Sequence, residues 1–324
     1  MDRLEEIRKP IGQELEKFKT LFSFTLQHQN TILQIALQHI LNRKGKMMRP
    51  ILVLLSAKSC GEINDSVLHA AVSLEMLHTA SLVHDDVVDE SDERRGQSSV
   101  NALVDNRAAV LVGDYMLSTA LKHAAKTGSI EVVEWISLLG QTLSDGELQQ
   151  MANIKSAELS EAQYCDVIKM KTASLFAACG RIGAKLAGGS ETDIERACRF
   201  GEYVGMCFQV RDDIFDYYHD SKVGKPTGND MKEGKLTLPV IHAVLQPGAE
   251  KWKEIALKVR KGDATEEEIA ALVDYTKNAG GIEYAQQTME KWRTEAMALL
   301  DEITVPEIAE SLAKYMDFVL DRRS

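Results

Sequence analysis

Proline is scarce in this 324-residue chain, and where it falls excludes more than its number does. The six prolines are Pro10, Pro50, Pro226, Pro239, Pro247 and Pro306, so nothing between 51 and 225 removes a backbone donor from a helix. Strand-like alternation is rare as well, while apolar residues recur at three- and four-residue spacing, as in "EEEIAALVDYTKNAGG". Positive charge is short: 38 Lys and Arg against 49 Asp and Glu leave a formal charge of -11, which excludes nucleic acid or anionic lipid held by a general basic field. The five cysteines, Cys60, Cys165, Cys179, Cys198 and Cys207, form no CxxC pair and are odd in number, as expected of reduced, mostly buried thiols rather than a disulfide framework or zinc site. No apolar run approaches the roughly 18 residues of a membrane span, and "MDRLEEIRKP" lacks the apolar core of a signal peptide, so the expected compartment is the cytoplasm.

What is present is helix after helix. With 44% hydrophobic and 27% charged residues, the chain has the make-up of a folded globular protein. Breaks fall at "SCGEINDS", "KTGS", "LAGGSETD", "DSKVGKPTGND" and "LQPGAE", each rich in Gly, Pro, Ser, Asn or Asp, and none is long enough to divide domains. The expectation is an all-α fold: one domain over 1–324, a large bundle of about ten or more mostly antiparallel helices around a central cavity. Residues 66–83, "SVLHAAVSLEMLHTASLV", are apolar on nearly all faces, which marks a helix enclosed by others.

That helix runs into "LVHDDVVDESDERRG", residues 82–96. Asp85 and Asp89 are i and i+4, so their carboxylates share a helix face while Asp86 turns away by about 100°. Alone, this could be a solvated acidic helix end. A second DDxxD in "FQVRDDIFDYY", at Asp212, Asp213 and Asp216, asks for a shared explanation. Oxygen-only carboxylate sets select hard cations, and Mg²⁺ in particular is held by one or two carboxylates with waters and substrate phosphates. A bound metal then turns an acidic site into one for anions. Cations stand by to complete it: Arg94 and Arg95; Lys46 and Arg49 in "GKMMRP"; Lys171 beside Thr172 in "MKTA"; Lys225 and Lys235 in "GKPTGNDMKEGKLTLP". Guanidinium forks and lysine charges are the usual partners of phosphate oxygens, so the ligand expected is a diphosphate.

These motifs, with "GDYML" and "DGELQQ" in the same order, resemble the trans-type polyprenyl diphosphate synthases over roughly residues 40 to 245. The resemblance implies a Mg²⁺-dependent prenyltransferase in which three ions hold an allylic diphosphate, farnesyl or geranylgeranyl, between the aspartate motifs. Isopentenyl diphosphate binds next to it, and condensation runs through an allylic carbocation. It implies metal binding at Asp85, Asp89, Asp212 and Asp216, the allylic diphosphate at Arg94, and isopentenyl diphosphate at Lys46, Arg49, His78 and Arg95. Lys171, Thr172, Gln209, Lys225 and Lys235 complete the allylic side. It also implies a homodimer, transient membrane contact for product release, and a product used as a quinone side chain. Lys44 and Met47 depart from the GGKRxRP form usual in the family.

Product length is read from the residues before Asp85. Ala80 and Ser81 lie about one turn, roughly 5–7 Å, down the helix, and both are small where short-chain members carry aromatic rings; the expected product is about seven to nine isoprene units, and Ala80→Phe is expected to shorten it. A short-chain farnesyl or geranylgeranyl diphosphate synthase is the alternative. Glu75 and His78 form an ExxH, the di-iron carboxylate pattern, but without the second copy such bundles use. A class I terpene cyclase would mix Asn, Ser and Glu in its second motif, and a non-catalytic partner subunit would lose aspartates that are all present here.

Overall fold

Helix fills the proline-free middle of the chain, as its periodicity requires. The structure, a computed structural model, describes residues 3–42, 45–94, 96–156, 158–218 and 227–321. In chain order the first helices are α1 (Arg3–Arg8), α2 (Gly12–Thr25), α3 (Thr31–Asn42), α4 (Met48–Cys60), α5 (Asp65–Val88), α6 (Val100–Val104), α7 (Asn106–Lys126) and α8 (Ile130–Lys155). They are followed by α9 (Glu161–Ile168), α10 (Ser174–Leu186), α11 (Glu191–Phe215), α12 (Asn229–Lys232), α13 (Leu238–Val244), α14 (Glu250–Lys261), α15 (Glu266–Asn278), α16 (Gly281–Ala298) and α17 (Pro306–Asp321). The fold is all-α, as expected. Among the described residues the exception is a two-residue antiparallel ladder, β1 (Glu93–Arg94) with β2 (Gln97–Ser98), which pairs Glu93 with Ser98.

The chain gathers into two compact units. The first comprises Met1–Gln141, Leu175–Gly201 and Leu300–Tyr315. Its axis is α5, started by Asn64, whose side-chain oxygen accepts from the Val67 N–H at 3.1 Å. Val67, Ala70, Ala71, Val72, Leu74 and Met76 are all fully buried, so α5 is enclosed on every side along its first half. By length and composition it is long and apolar enough to cross a membrane, although the sequence shows no unbroken apolar run of that length; its burial is that of a core helix. Helix α4 lies beside it with Ile51 through Leu55 at zero exposure, each contributing about 1.5–3 kcal/mol of apolar transfer. Helix α7 runs antiparallel along one face of α5. It is tied there by Ser73 Oγ donating to Ala120 O (2.7 Å) and by His69 Nδ1 against His123 Nδ1 (3.0 Å).

The second unit comprises Thr142–Ser174, Glu202–Leu299 and Met316–Ser324. Two glycines set its packing. A Cβ at Gly205 would lie 2.4 Å from the Ala173 Cα, and one at Gly146 would lie 2.8 Å from Lys171 Cγ. Only a bare backbone lets α11 and α8 come this close to the turn that carries Lys171 and Thr172. The segment after α8 is held by Arg260, whose guanidinium is nearly buried and donates to the carbonyls of Ser156 (3.0 Å) and Glu158.

Candidate active site

In the first unit the acidic motif closes α5. Asp85 is half-buried on the last turn; Asp89 caps the helix, its N–H donating to Asp85 O at 2.8 Å, so the i, i+4 relation read from the spacing holds. The helix then ends in a Schellman pattern, with Ser91 N–H on Asp86 O (2.9 Å) and Glu90 N–H on Val87 O (3.3 Å). Glycine usually fills the left-handed position of that motif, yet here it is Glu90, at φ 49°. A side chain in that conformation costs on the order of 1 kcal/mol, strain stored next to Asp89.

Asp86, turned away from the Asp85 face as expected, is fully buried, and its Oδ1 accepts from Arg94 Nε at 2.6 Å. The partner comes from eight residues on, brought back by the β1–β2 ladder. The bond leaves the Arg94 side chain 28% exposed and orients its guanidinium. Arg95 and Lys44 lie outside the described residues.

The "GKMMRP" segment is pinned at both ends. Arg8 Nη2 donates to Lys46 O (2.7 Å) and the buried Tyr315 hydroxyl to Met48 O (2.8 Å). Between them Met47, the residue that departs from the family pattern, takes φ 54°, ψ 37° as the N-cap of α4. Such strain persists only where the surroundings over-determine it, and the two anchored carbonyls do so here. Arg49 follows on the first turn of α4, half-buried, its guanidinium 4.9 Å over the ring of Phe176. His78 is half-buried on the Asp85 face of α5.

The two small residues before the motif part company. His69, Ser73, Ala80 and His84 recur at spacings of 4, 7 and 4, which is one helix face. Three of them touch α7: His69 at His123, Ser73 at Ala120, and His84 at the carbonyl of Val110 (3.2 Å). Ala80, at 2% exposure, therefore lies in the α5–α7 seam. Ser81 is one position further round, about 40° from Asp85, and half-buried, with its hydroxyl turned back onto His78 O (2.9 Å).

In the second unit, Lys169–Ala173 is a single turn of π-helix, a widening that recurs at functional sites, and it carries both Lys171 and Thr172. Lys171 Nζ is paired with Glu147 and donates to Gln150 Oε1 at 2.9 Å, both from α8 just after Gly146. Thr172 Oγ1 donates to Gln209 Oε1 at 2.8 Å, and Gln209 Nε2 donates to Asp213 Oδ1 at 2.8 Å. The other oxygen of Asp213 accepts from the buried Tyr164 hydroxyl at 2.5 Å. Burial pushes the Asp213 carboxyl up, against the pull of these two bonds. Burial also raises Asp230, with Asp213 and Asp216 adding to the effect.

Asp212 is half-buried at the end of α11. Asp216, expected as a metal ligand, also caps α12: its two oxygens accept the backbone N–H groups of Asn229 (3.0 Å) and Asp230 (3.1 Å). This brings the "GNDMKEGK" segment, with Lys235 paired to Glu233 at 2.6 Å, against the motif. Lys225 lies outside the described residues. A cavity of about 210 Å³ opens within the unit, lined among others by Gln150, Tyr164, Lys171, Thr172, Gln209 and Lys235. Four expected site residues thus meet around one space. Tyr164, Glu147, Gln150, Asp213 and Asp230 belong to the same network and were given no role from the sequence; "DGELQQ" was the available signal for Glu147 and Gln150, and Tyr164 had none.

The pattern that defines the polyprenyl synthetases matches residues 30–276. The chain belongs to the polyprenyl synthetase family. It is accordingly a prenyltransferase, as the resemblance implied. Curated relatives include the octaprenyl diphosphate synthase of Haemophilus influenzae, 32% identical over 322 residues, covering 98% of this chain and 97% of the relative. A solved structure of geranylgeranyl pyrophosphate synthase from Bacteroides thetaiotaomicron is 46% identical, covers 99% of this chain and 100% of that one, and has a TM-score of 0.88. A polyprenyl synthase from Caulobacter crescentus, solved with calcium and isoprenyl diphosphate, is 28% identical over 99% of this chain and 98% of that one, with a TM-score of 0.92.

Proposed function

We propose that this polyprenyl synthetase condenses isopentenyl diphosphate head-to-tail onto an allylic diphosphate, farnesyl or geranylgeranyl, with Asp85, Asp89 and Asp212 holding Mg²⁺. The observation that carries the reading is the donor set. Two oxygen-only aspartate motifs end helices: Asp85 and Asp89 close α5, and Asp212 lies at the end of α11. Part-sites of that kind suit Mg²⁺, which keeps waters and takes phosphate oxygens. Held by Asp85, Asp89 and Asp212, such ions, three by family resemblance, would supply positive charge to the diphosphate leaving group.

The chain's own residues do the rest. Lys171, Lys235 and Lys225 offer charge to the allylic diphosphate, and Arg94, oriented by Asp86, offers a fork. Lys46, Arg49, His78 and Arg95 hold isopentenyl diphosphate, the first and third of these on backbone that is pinned or enclosed. The oxygens of Thr172 and Gln209 face the allylic cation, and the apolar walls exclude water that would quench it. The proton released after condensation goes to the departed diphosphate, so no protein base is assigned. Asp216 we assign to placing the Lys235 segment. Incubation of labelled isopentenyl diphosphate with farnesyl diphosphate and Mg²⁺ tests the reading; no label in a prenyl product ends it.

For the product we propose a long chain of about seven to nine isoprene units, supported by relatives named octaprenyl and heptaprenyl diphosphate synthase and by the small Ser81 beside Asp85. A second reading, a twenty-carbon product, is favoured by the 46% identity to a protein named for geranylgeranyl pyrophosphate. Sizing the labelled product separates them. We further propose cytoplasmic action, a quinone side chain as the product's use, transient membrane contact at release, and a homodimer. Val110, Leu111 and Leu121, exposed along α7, supply an apolar stripe for the second copy.

A further inference from the structure

The chain of hydrogen bonds behind Thr172 has a direction. Ionised Asp213 only accepts, so both groups that touch it must donate: the Tyr164 hydroxyl to Oδ2 and the Gln209 amide nitrogen to Oδ1. The Gln209 carbonyl is thereby turned the other way, toward Thr172. The single hydroxyl hydrogen of Thr172 is taken by that carbonyl at 2.8 Å. What remains on Thr172 Oγ1 is lone-pair density, on a π-helical turn that faces the cavity. Every hydrogen in the relay points inward to Asp213, and its far end is a phenol 8% exposed.

We propose that Tyr164 is a positioning residue for the condensation: its phenol hydrogen anchors Asp213 and fixes the polarity of the Asp213–Gln209–Thr172 relay, so that Thr172 turns oxygen rather than hydrogen toward the allylic cation. Asp213 is on this account the relay's anchor and not a metal ligand. The inference rests on the proposal that Thr172 and Gln209 lie beside the cation. Without the phenol, one buried carboxylate oxygen loses its donor and the amide of Gln209 loses its fixed orientation. Asp213→Asn has the same consequence by another route. An amide at 213 can donate to the Gln209 carbonyl, which turns the Gln209 nitrogen toward Thr172 and the Thr172 hydrogen outward.

The experiment is steady-state turnover of the full chain with isopentenyl and farnesyl diphosphates and Mg²⁺, alongside thermal melting. Tyr164→Phe keeps the ring and removes only the hydroxyl. Its kcat is expected to fall about ten- to a hundredfold, the usual loss for an outer partner that orients a reacting group, with KM for both diphosphates and the Mg²⁺ midpoint within about twofold of wild type. Asp213→Asn is expected to lose kcat alike without a raised Mg²⁺ requirement, and the double variant to be no worse than the poorer single one. A Tyr164→Phe kcat within twofold of wild type overturns the proposal, as do a loss confined to KM, a raised Mg²⁺ midpoint in Asp213→Asn, or losses that multiply. If Tyr164→Phe melts below the assay temperature, Asp213→Asn decides by the same criteria. A wild type that incorporates no label overturns the proposed function as well, which tells the two failures apart.

Discussion

A Cβ at Gly113 would lie 2.2 Å from the Nε2 of His84, so the His84 ring, from the end of α5, fills the space that a side chain at 113 would need. His84 uses the space to reach the Val110 carbonyl at 3.2 Å and Asp114 at 3.4 Å. Gly113→Ala should displace the imidazole and cost about 1–3 kcal/mol by overpacking, read as a lowered melting temperature, and His84→Ala in the same chain should restore most of it. Equal melting of Gly113→Ala and wild type would contradict the close approach.

The same seam separates the two small residues that precede Asp85. Ala80→Phe, expected from the sequence to shorten the product, would place a ring between α5 and α7, and should lower the melting point first. Ser81→Phe, on the Asp85 side and half-buried, is the variant that should shorten the prenyl chain with melting retained. Chromatography of the labelled products checks both. Full-length product from an active, well-folded Ser81→Phe would show that the tail does not pass this residue.

The aspartates should separate by what holds them. Asp85→Ala and Asp212→Ala should cut turnover by several orders of magnitude with melting little changed, because both carboxylates are half-buried, whereas Asp86 is fully buried. Asp86→Ala should instead destabilise the chain by about 1.5–3 kcal/mol, since it removes a charge-assisted hydrogen bond whose acceptor is fully buried. Calorimetry with parallel rate measurements distinguishes the two patterns; a stable Asp86→Ala would refute the pairing.

Acid should weaken the first unit through a histidine pair remote from the aspartates. Thr25 Oγ1 donates to Leu21 O at 2.8 Å, so at its 3.3 Å contact with His123 the imidazole Nε2–H is the donor. His123 Nδ1 then accepts from His69 Nδ1–H. Burial, then the nearby His69, Lys126 and Lys122, lower His123 to about 4; burial and Lys126 lower His69. A histidine depressed in the folded state binds its proton first in the unfolded chain. Its contribution is therefore intact above about pH 6.5 and lost as pH falls from there toward 4, by about 1.4 kcal/mol per unit. Urea midpoints should drop across that window more steeply in wild type than in His123→Gln, and parallel curves would sink the account.

Much of this protein was legible before any fold was drawn, because a helix converts spacing directly into angle. The 3.6-residue period sufficed to enclose α5, to set Asp85 and Asp89 on one face with Asp86 off it, and to make the fold all-α. The family resemblance marked Lys171, Thr172, Gln209 and Lys235 for one site, and all four line one cavity. What spacing cannot say is which neighbour covers each face, and that was decided where bare backbone admits a second helix. The α7 contacts of His69, Ser73 and His84 put Ala80 in a seam; bare backbone at Gly146 and Gly205 lets Gln150 and Gln209 onto the π-helical turn. The Arg94 bond to Asp86 required a hairpin, and the Tyr164 bond to Asp213 spans 49 positions of chain. No local rule carries information over that distance; only packing does.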